Sequence, residues 1–377
     1  MNKPEKIYFA NLDALRSIAC LFVLVSHIFW DFLTKHFSES WIISNSFAEF
    51  FLGNGGLGVR IFFGLSGFLI TYLIIKEIQK AGRLNIRHFY IRRILRIWPV
   101  YFLVVFFAFG IYYFSKTPIY EKPVMSILFL SNYDLVRILN DSSIYPNGIL
   151  SLTWSVSVEE QFYLIWPLVL AIIPISKLLI VLCGVILTSV VFSIVNDADL
   201  NLIYHHTVSN FIFLGGGAFV AFIVLNRPVL IQKLSKIDSK QWSIFFIIGL
   251  AFMIFSKKIL FSIKGGSAFY FFVSAVVIAS VILNQVANVK RPFNLSRSGF
   301  LVKMGKYTYG LYMYHRIAMF LLSLLFSKFF ILPSVSSDLL YSVLAFFLAF
   351  IISYYSFHII ERPILKWKDR FSIFRKL

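Results

Sequence analysis

The chain has 377 residues, 59% of them hydrophobic, with 44 phenylalanines and a formal net charge of +19. Apolar runs recur along its whole length, more than a soluble domain needs, and the alternation of a transmembrane β-barrel is missing, so the fold class is an all-α polytopic membrane protein. The positive charge forms no dense tail and accompanies no nucleic-acid module, so topology and contact with anionic membrane lipid explain it and nucleic acid does not.

Ten apolar windows are expected to span, at 13–33, 57–76, 97–115, 149–171, 176–195, 207–225, 242–256, 268–286, 307–327 and 338–360, the seventh being the shortest. Asp13 and Arg16 interrupt the first window and no small-residue cleavage site follows it, so it is read as a retained helix and not as a signal peptide. An even count puts both termini on one side. Most of the 36 basic residues then fall in the segments sharing that side, which the positive-inside rule makes cytoplasmic. The longest polar stretch, about 116–148, holds Pro118, Pro123 and Pro146; it reads as an outward-facing loop with a re-entrant piece lining a cavity. No internal repeat stands out, and residues 1–377 read as a single transmembrane domain.

Ionisable groups inside these windows are costly and therefore informative. Arg16 and His27 are eleven residues apart, so about 100° per residue brings them within roughly 20° of one face, separated along the axis by about 16 Å. Asp13, three residues before Arg16, is placed to orient it. Cys20 lies near the same face; a thioester on it is conceivable, but buried thiols in apolar helices are usually inert, and His27 is the better base. Only one other cysteine, Cys183, exists, which leaves no disulfide framework and no paired metal-ligand pattern.

Arg60 precedes the apolar run of the second window and could meet one of the carboxylates Glu159 or Glu160 in the fourth. That meeting would be either a structural ion pair or part of a catalytic group. Before the third window, HFYIRRILRIWP sets Arg93 and Arg96 three residues apart on one helical face. Their guanidinium forks suit a polyphosphate ligand, or else serve as positive-inside anchors, with Pro99 in the first turn of the span. Gly215, Gly216 and Gly217 permit close helix packing. His315, on an aromatic face of the ninth window, is either a packing residue or part of a site, and Glu361 closes the last window at the interface.

Taken in order, LDALRSIACLFVLVSH, GVRIFFGLSGFLI, FYIRRILRIWP, SLTWSVSVEEQFYLIWP, GKYTYGLYMYH and the final ERP resemble the acyltransferase 3 family of membrane-bound acyltransferases. The six pieces run from residue 12 to residue 363. The chain is similar to members consisting of the membrane core alone, without a following SGNH-type esterase domain. The resemblance implies an Arg–His motif at Arg16 and His27, and an Arg-x-x-Arg motif at Arg93 and Arg96 associated with the acyl-CoA donor. It implies an O-acetyltransferase of the bacterial inner membrane, carrying acetyl from cytoplasmic acetyl-CoA to a glycan or lipid-linked sugar. In this reading Arg16, Arg93 and Arg96 hold the donor, Glu159 assists, and no metal takes part. His27 removes a proton from the acceptor or briefly carries the acyl group. The competing class is a transporter or flippase for a glycan or lipid-linked sugar, which would use the same intramembrane charges as a solute path.

Overall fold

The computed structural model describes residues 7–37, 45–115, 120–143, 148–287, 289–329 and 334–371, and every regular element among them is helical. Among the described residues nine helices are long and apolar enough to cross a membrane: Ala10–His36, Gly55–Ala81, Ile86–Phe114, Thr153–Ile172, Ile175–Val195, Leu200–Asn226, Gly266–Val286, Thr308–Ser327 and Val335–Phe371. The number becomes ten when the broken pair Pro228–Leu234 and Ser239–Phe255, bent by 91°, is counted as one span. These are called spans one to ten in chain order, the broken pair being span seven. The chain is thus a multi-pass membrane protein. The shortest apolar window, 242–256, lies within the second helix of this pair up to its C-cap Ser256, and the break falls before it, where Asp238 starts that helix with a capping box to Gln241.

The expectation that Pro99 opens span three is corrected. Helix begins at Ile86, so Pro99 lies well inside it, and the basic residues before the apolar window form a helical extension of the same rod. Arg92 leaves the cluster that the sequence suggests. It pairs with Glu77 of span two at 2.9 Å and donates to the Phe371 carbonyl at 2.7 Å, which clamps the end of span ten onto the start of span three.

Spans two and six form the centre. A Cβ on Gly67 would lie 1.9 Å from the Leu214 carbonyl oxygen, and one on Gly217 would lie 1.9 Å from that of Gly64. Backbone therefore meets backbone, the close approach that small residues allow between membrane helices. Of the three consecutive glycines only Gly217 is needed for it, since a Cβ at Gly216 finds its nearest neighbour at 3.8 Å. Gly217→Ala is expected to destabilise the fold by about 1–3 kcal/mol through overpacking. Gly216→Ala should be close to neutral. Thermal melting in detergent checks this, and equal midpoints for the two variants would contradict it.

Of the polar stretch at 116–148, residues 120–143 are described and contain two short helices, Pro123–Ile127 and Ser131–Leu139. They are fastened to span four and span three by buried polar contacts. Gln161 donates to the Phe129 carbonyl at 2.7 Å, Ser131 meets Ser157 at 2.7 Å, and Tyr101 donates to the Ser126 carbonyl at 2.8 Å. The segment thus folds back against the bundle and delivers Leu135 and Leu139 to a cavity wall.

Candidate functional site

Two cavities approach each other inside the bundle. The first, about 830 Å³ with its open mouth, lies toward the end carrying the basic helical extension of span three. Its wall includes Arg16 from span one, Ser66 from span two, Arg93 and Arg96 from span three, Glu159 and Tyr163 from span four, and Tyr309 from span nine. Arg16 is held by Asp13 at 2.7 Å. The Arg93 guanidinium lies over Tyr163 at 5.9 Å and Phe89 at 5.6 Å from the ring centres, where cation–π attraction fixes it without consuming its donors. Glu159 accepts from Ser66 at 2.7 Å and from Tyr163 at 3.1 Å, so its carboxylate is satisfied by neutral hydroxyls and leaves the arginines free for another anion. Glu160 turns the other way and accepts from the Trp98 indole at 2.9 Å.

The second cavity, about 630 Å³, is lined by His27, Gly55, Gly56, Leu135, Leu139, Ser151, Leu152, Trp154, Tyr204 and His205. Val59 and Tyr312 line both cavities. They are shared by an arginine-rich chamber and one walled by aromatic rings and histidine, and so stand between the two. Tyr312 is fixed there by hydrogen bonds to the Ser155 hydroxyl at 2.6 Å and the Leu152 carbonyl at 3.1 Å.

His27 sits in a single π-helical turn, Ser26–Trp30, inserted into span one. Such bulges widen a helix locally and re-aim side chains, and they concentrate at functional sites. His27 Nδ1 lies 2.9 Å from His315 Nε2, with the rings stacked at 17°. His315 is fully buried and its Nδ1 lies 2.6 Å from the Tyr312 carbonyl. A carbonyl only accepts, so His315 Nδ1 carries the hydrogen. With both rings neutral, His315 Nε2 accepts from His27 Nδ1–H, and His27 Nε2 keeps its lone pair. The hydrogen-bond network alone therefore assigns the tautomer of both histidines.

Arg60 does not meet Glu159 or Glu160. Its guanidinium is enclosed by the rings of Phe271 at 4.1 Å, Tyr204 at 4.9 Å and Phe213 at 5.4 Å, on spans six and eight. Helical periodicity explains the correction: Ser66, which does reach Glu159, is six residues on, about 240° around the helix from Arg60. Cys20 is buried against the Thr308 carbonyl at 3.7 Å, and neither cavity is lined by it. Among the described residues no group of His, Cys, Asp or Glu could hold a metal ion.

The family model described as an acyltransferase domain matches residues 9–358, and the chain belongs to that family, the acyltransferase 3 family. It is similar to peptidoglycan O-acetyltransferase OatA of Listeria monocytogenes, 27% identical over 95% of this chain and 56% of that protein. A Staphylococcus aureus protein named as a candidate O-acetyltransferase is 27% identical over 82% of this chain and 50% of its own length. YrhL of Bacillus subtilis, named as a candidate peptidoglycan O-acetyltransferase, is 27% identical over 82% of this chain and 48% of its own. The chain spans about half the length of the curated relatives it matches. No solved structure matches it.

Proposed function

We propose that this protein is a membrane O-acetyltransferase that takes acetyl from acetyl-CoA on the cytoplasmic side of the bacterial inner membrane and passes it to a hydroxyl on the far side. The acceptor is a cell-surface or secreted glycan or its lipid-linked precursor, the class to which peptidoglycan, the substrate in the relatives' names, belongs. The observation that carries the reading is the pair of cavities sharing Val59 and Tyr312, one rich in arginine and the other holding His27.

Coenzyme A combines phosphates with a thin, flexible arm. Arg16, Arg93 and Arg96 supply forked donors for the phosphates, and the arm reaches the wall at Tyr312. On the far side Trp154, Tyr204 and His205 offer aromatic faces and Ser151 a hydroxyl, suited to a sugar ring. His27 Nε2 removes the proton from the acceptor hydroxyl as its oxygen attacks the thioester carbonyl. The carbon–sulfur bond breaks, and His27 returns the proton to the departing thiolate. His315 holds His27 in the tautomer that leaves Nε2 free, the positioning role a carboxylate plays in a hydrolase triad. Basic residues crowded at the mouth of the arginine chamber and the positive-inside rule support placing both termini in the cytoplasm.

The test is reconstitution in sealed vesicles with acetyl-labelled coenzyme A outside and a sugar acceptor, such as chitotriose, inside. Label on the enclosed sugar is the expected result. Movement of sugar with no transfer of label would instead favour the transporter. His315→Gln is expected to lower kcat about 10- to 100-fold with donor KM little changed, because the amide does not place its acceptor and donor where the rigid ring holds Nε2 and Nδ1. Initial rates over a donor series check this, and an unchanged kcat would remove His315 from the reaction.

A further inference from the structure

Two π-helical turns occur among the described residues. The first holds His27. The second, Phe357–Glu361, lies in span ten and ends on Glu361. This carboxylate is 4% exposed, and neither of its oxygens has a hydrogen-bond partner among the described residues. A buried carboxylate with no donor at all is costly, and packing does not require one.

The surroundings of Glu361 indicate what its charge acts on. A side chain at Gly310 would meet Glu361 Oε1 at 3.1 Å, so the carboxylate rests against the glycine that follows Tyr309. Tyr309 lines the arginine chamber and donates to the Ile97 carbonyl at 2.7 Å, next to Arg96. Glu361 thus lies in the seam of spans three, nine and ten, directly behind that wall. Arg96 makes no hydrogen bond or ion pair with any described residue, and the buried Glu361 carboxylate attracts it through space, as Asp13 does to a lesser degree. Arg96 is likewise the charge that Glu361 feels. Arg16 repels Arg96, and Arg96 repels Arg93.

We infer that Glu361 is a positioning residue for the donor site: its carboxylate stands behind Arg96, offsets the mutual repulsion of the chamber's arginines, and lets them converge on one phosphate-bearing ligand. The π-helical turn is what brings it there, by rotating the end of span ten out of regular register. Three cations aimed at one space would otherwise spread apart in a low-dielectric wall. The carboxylate stays out of contact with Arg96, so every guanidinium donor remains available to the ligand. This inference rests on the proposal that the chamber binds coenzyme A.

The experiment is calorimetric titration of coenzyme A into the full-length protein in detergent, for wild type, Glu361→Gln, Glu361→Asp, Arg96→Gln and the double variant Arg96→Gln/Glu361→Gln. Glu361→Gln is expected to weaken binding at least tenfold and Glu361→Asp by less. In the Arg96→Gln background the Glu361 change should matter less than twofold, because it acts through Arg96. Wild-type affinity in Glu361→Gln would overturn the inference, as would an equal loss with and without Arg96, the signature of a merely structural residue. If Glu361→Gln does not fold, Glu361→Asp in the two backgrounds decides by the same criterion. Absence of coenzyme A binding by wild type would overturn the donor proposal and this inference together. Binding by wild type with no effect of Glu361 would overturn this inference alone.

Discussion

His27→Ala is expected to lower the rate of acetyl transfer by about 10²- to 10⁴-fold, the usual contribution of a positioned general base, while coenzyme A binds with unchanged affinity. The separation of the two effects is the informative part. His27 lines the aromatic cavity, and the three arginines line the other, so removing the imidazole leaves the donor chamber intact. A loss of binding that parallels the loss of rate would indicate a collapsed bundle and no specific role. The pair with His315 sharpens the expectation further. If His315 acts by fixing the tautomer of His27, the double variant His27→Ala/His315→Gln should be no slower than His27→Ala alone. Additive losses would mean that His315 works on something else, and full activity in His27→Ala would end the proposed mechanism.

Arg96→Ala is expected to raise the KM for acetyl-CoA about 10- to 100-fold with a smaller change in kcat, since a hydrogen bond between charged groups contributes roughly 1.5–3 kcal/mol. Arg96→Lys should recover only part of this, because a lysine offers one charge but no planar fork. Arg93 is the more demanding position: its guanidinium lies over both Phe89 and Tyr163, and a lysine there loses the planar fork as well as much of that cation–π contact. Arg92 is the internal control. It is engaged by Glu77 and the Phe371 carbonyl, so Arg92→Ala should lower thermal stability and leave the donor KM near that of wild type. A donor KM that responds to Arg92 as strongly as to Arg96 would show that the whole basic segment acts as a diffuse anchor.

The spans were legible because twenty consecutive apolar residues can do little else, and the shortest window sits beside the one broken helix pair, just after its bend. Pro99 misled because a helix can begin outside the membrane, so the first turn of the apolar window is not the first turn of the helix. Within the site, periodicity brings Arg93 and Arg96 to one face, as local spacing must. It failed for Arg60, where two candidate carboxylates existed and only the rotation of span two decides which face meets them. The contact between His27 and His315 joins residues 288 apart in the chain, and no local pattern encodes it. The π-helical turn at His27 is equally silent, because a bulge depends on what packs against the helix and not on its own letters. Glu361 read as an interface residue for the same reason: its burial follows from the seam between three spans.

The wall formed by Val59 and Tyr312 has a further consequence for the cell. On the proposed reaction an acetyl group passes that point in one direction and the acceptor's hydrogen in the other, an exchange with no net charge, while the coenzyme and the sugar each stay on their own side. The membrane voltage does no work on such a transfer, whereas it would drive about 2.3 kcal/mol per elementary charge for every 100 mV through an open path. If the proposed reaction holds, Tyr312, tied to Ser155 and Leu152, would act as an insulator, and the outer surface could be modified continuously without discharging the membrane.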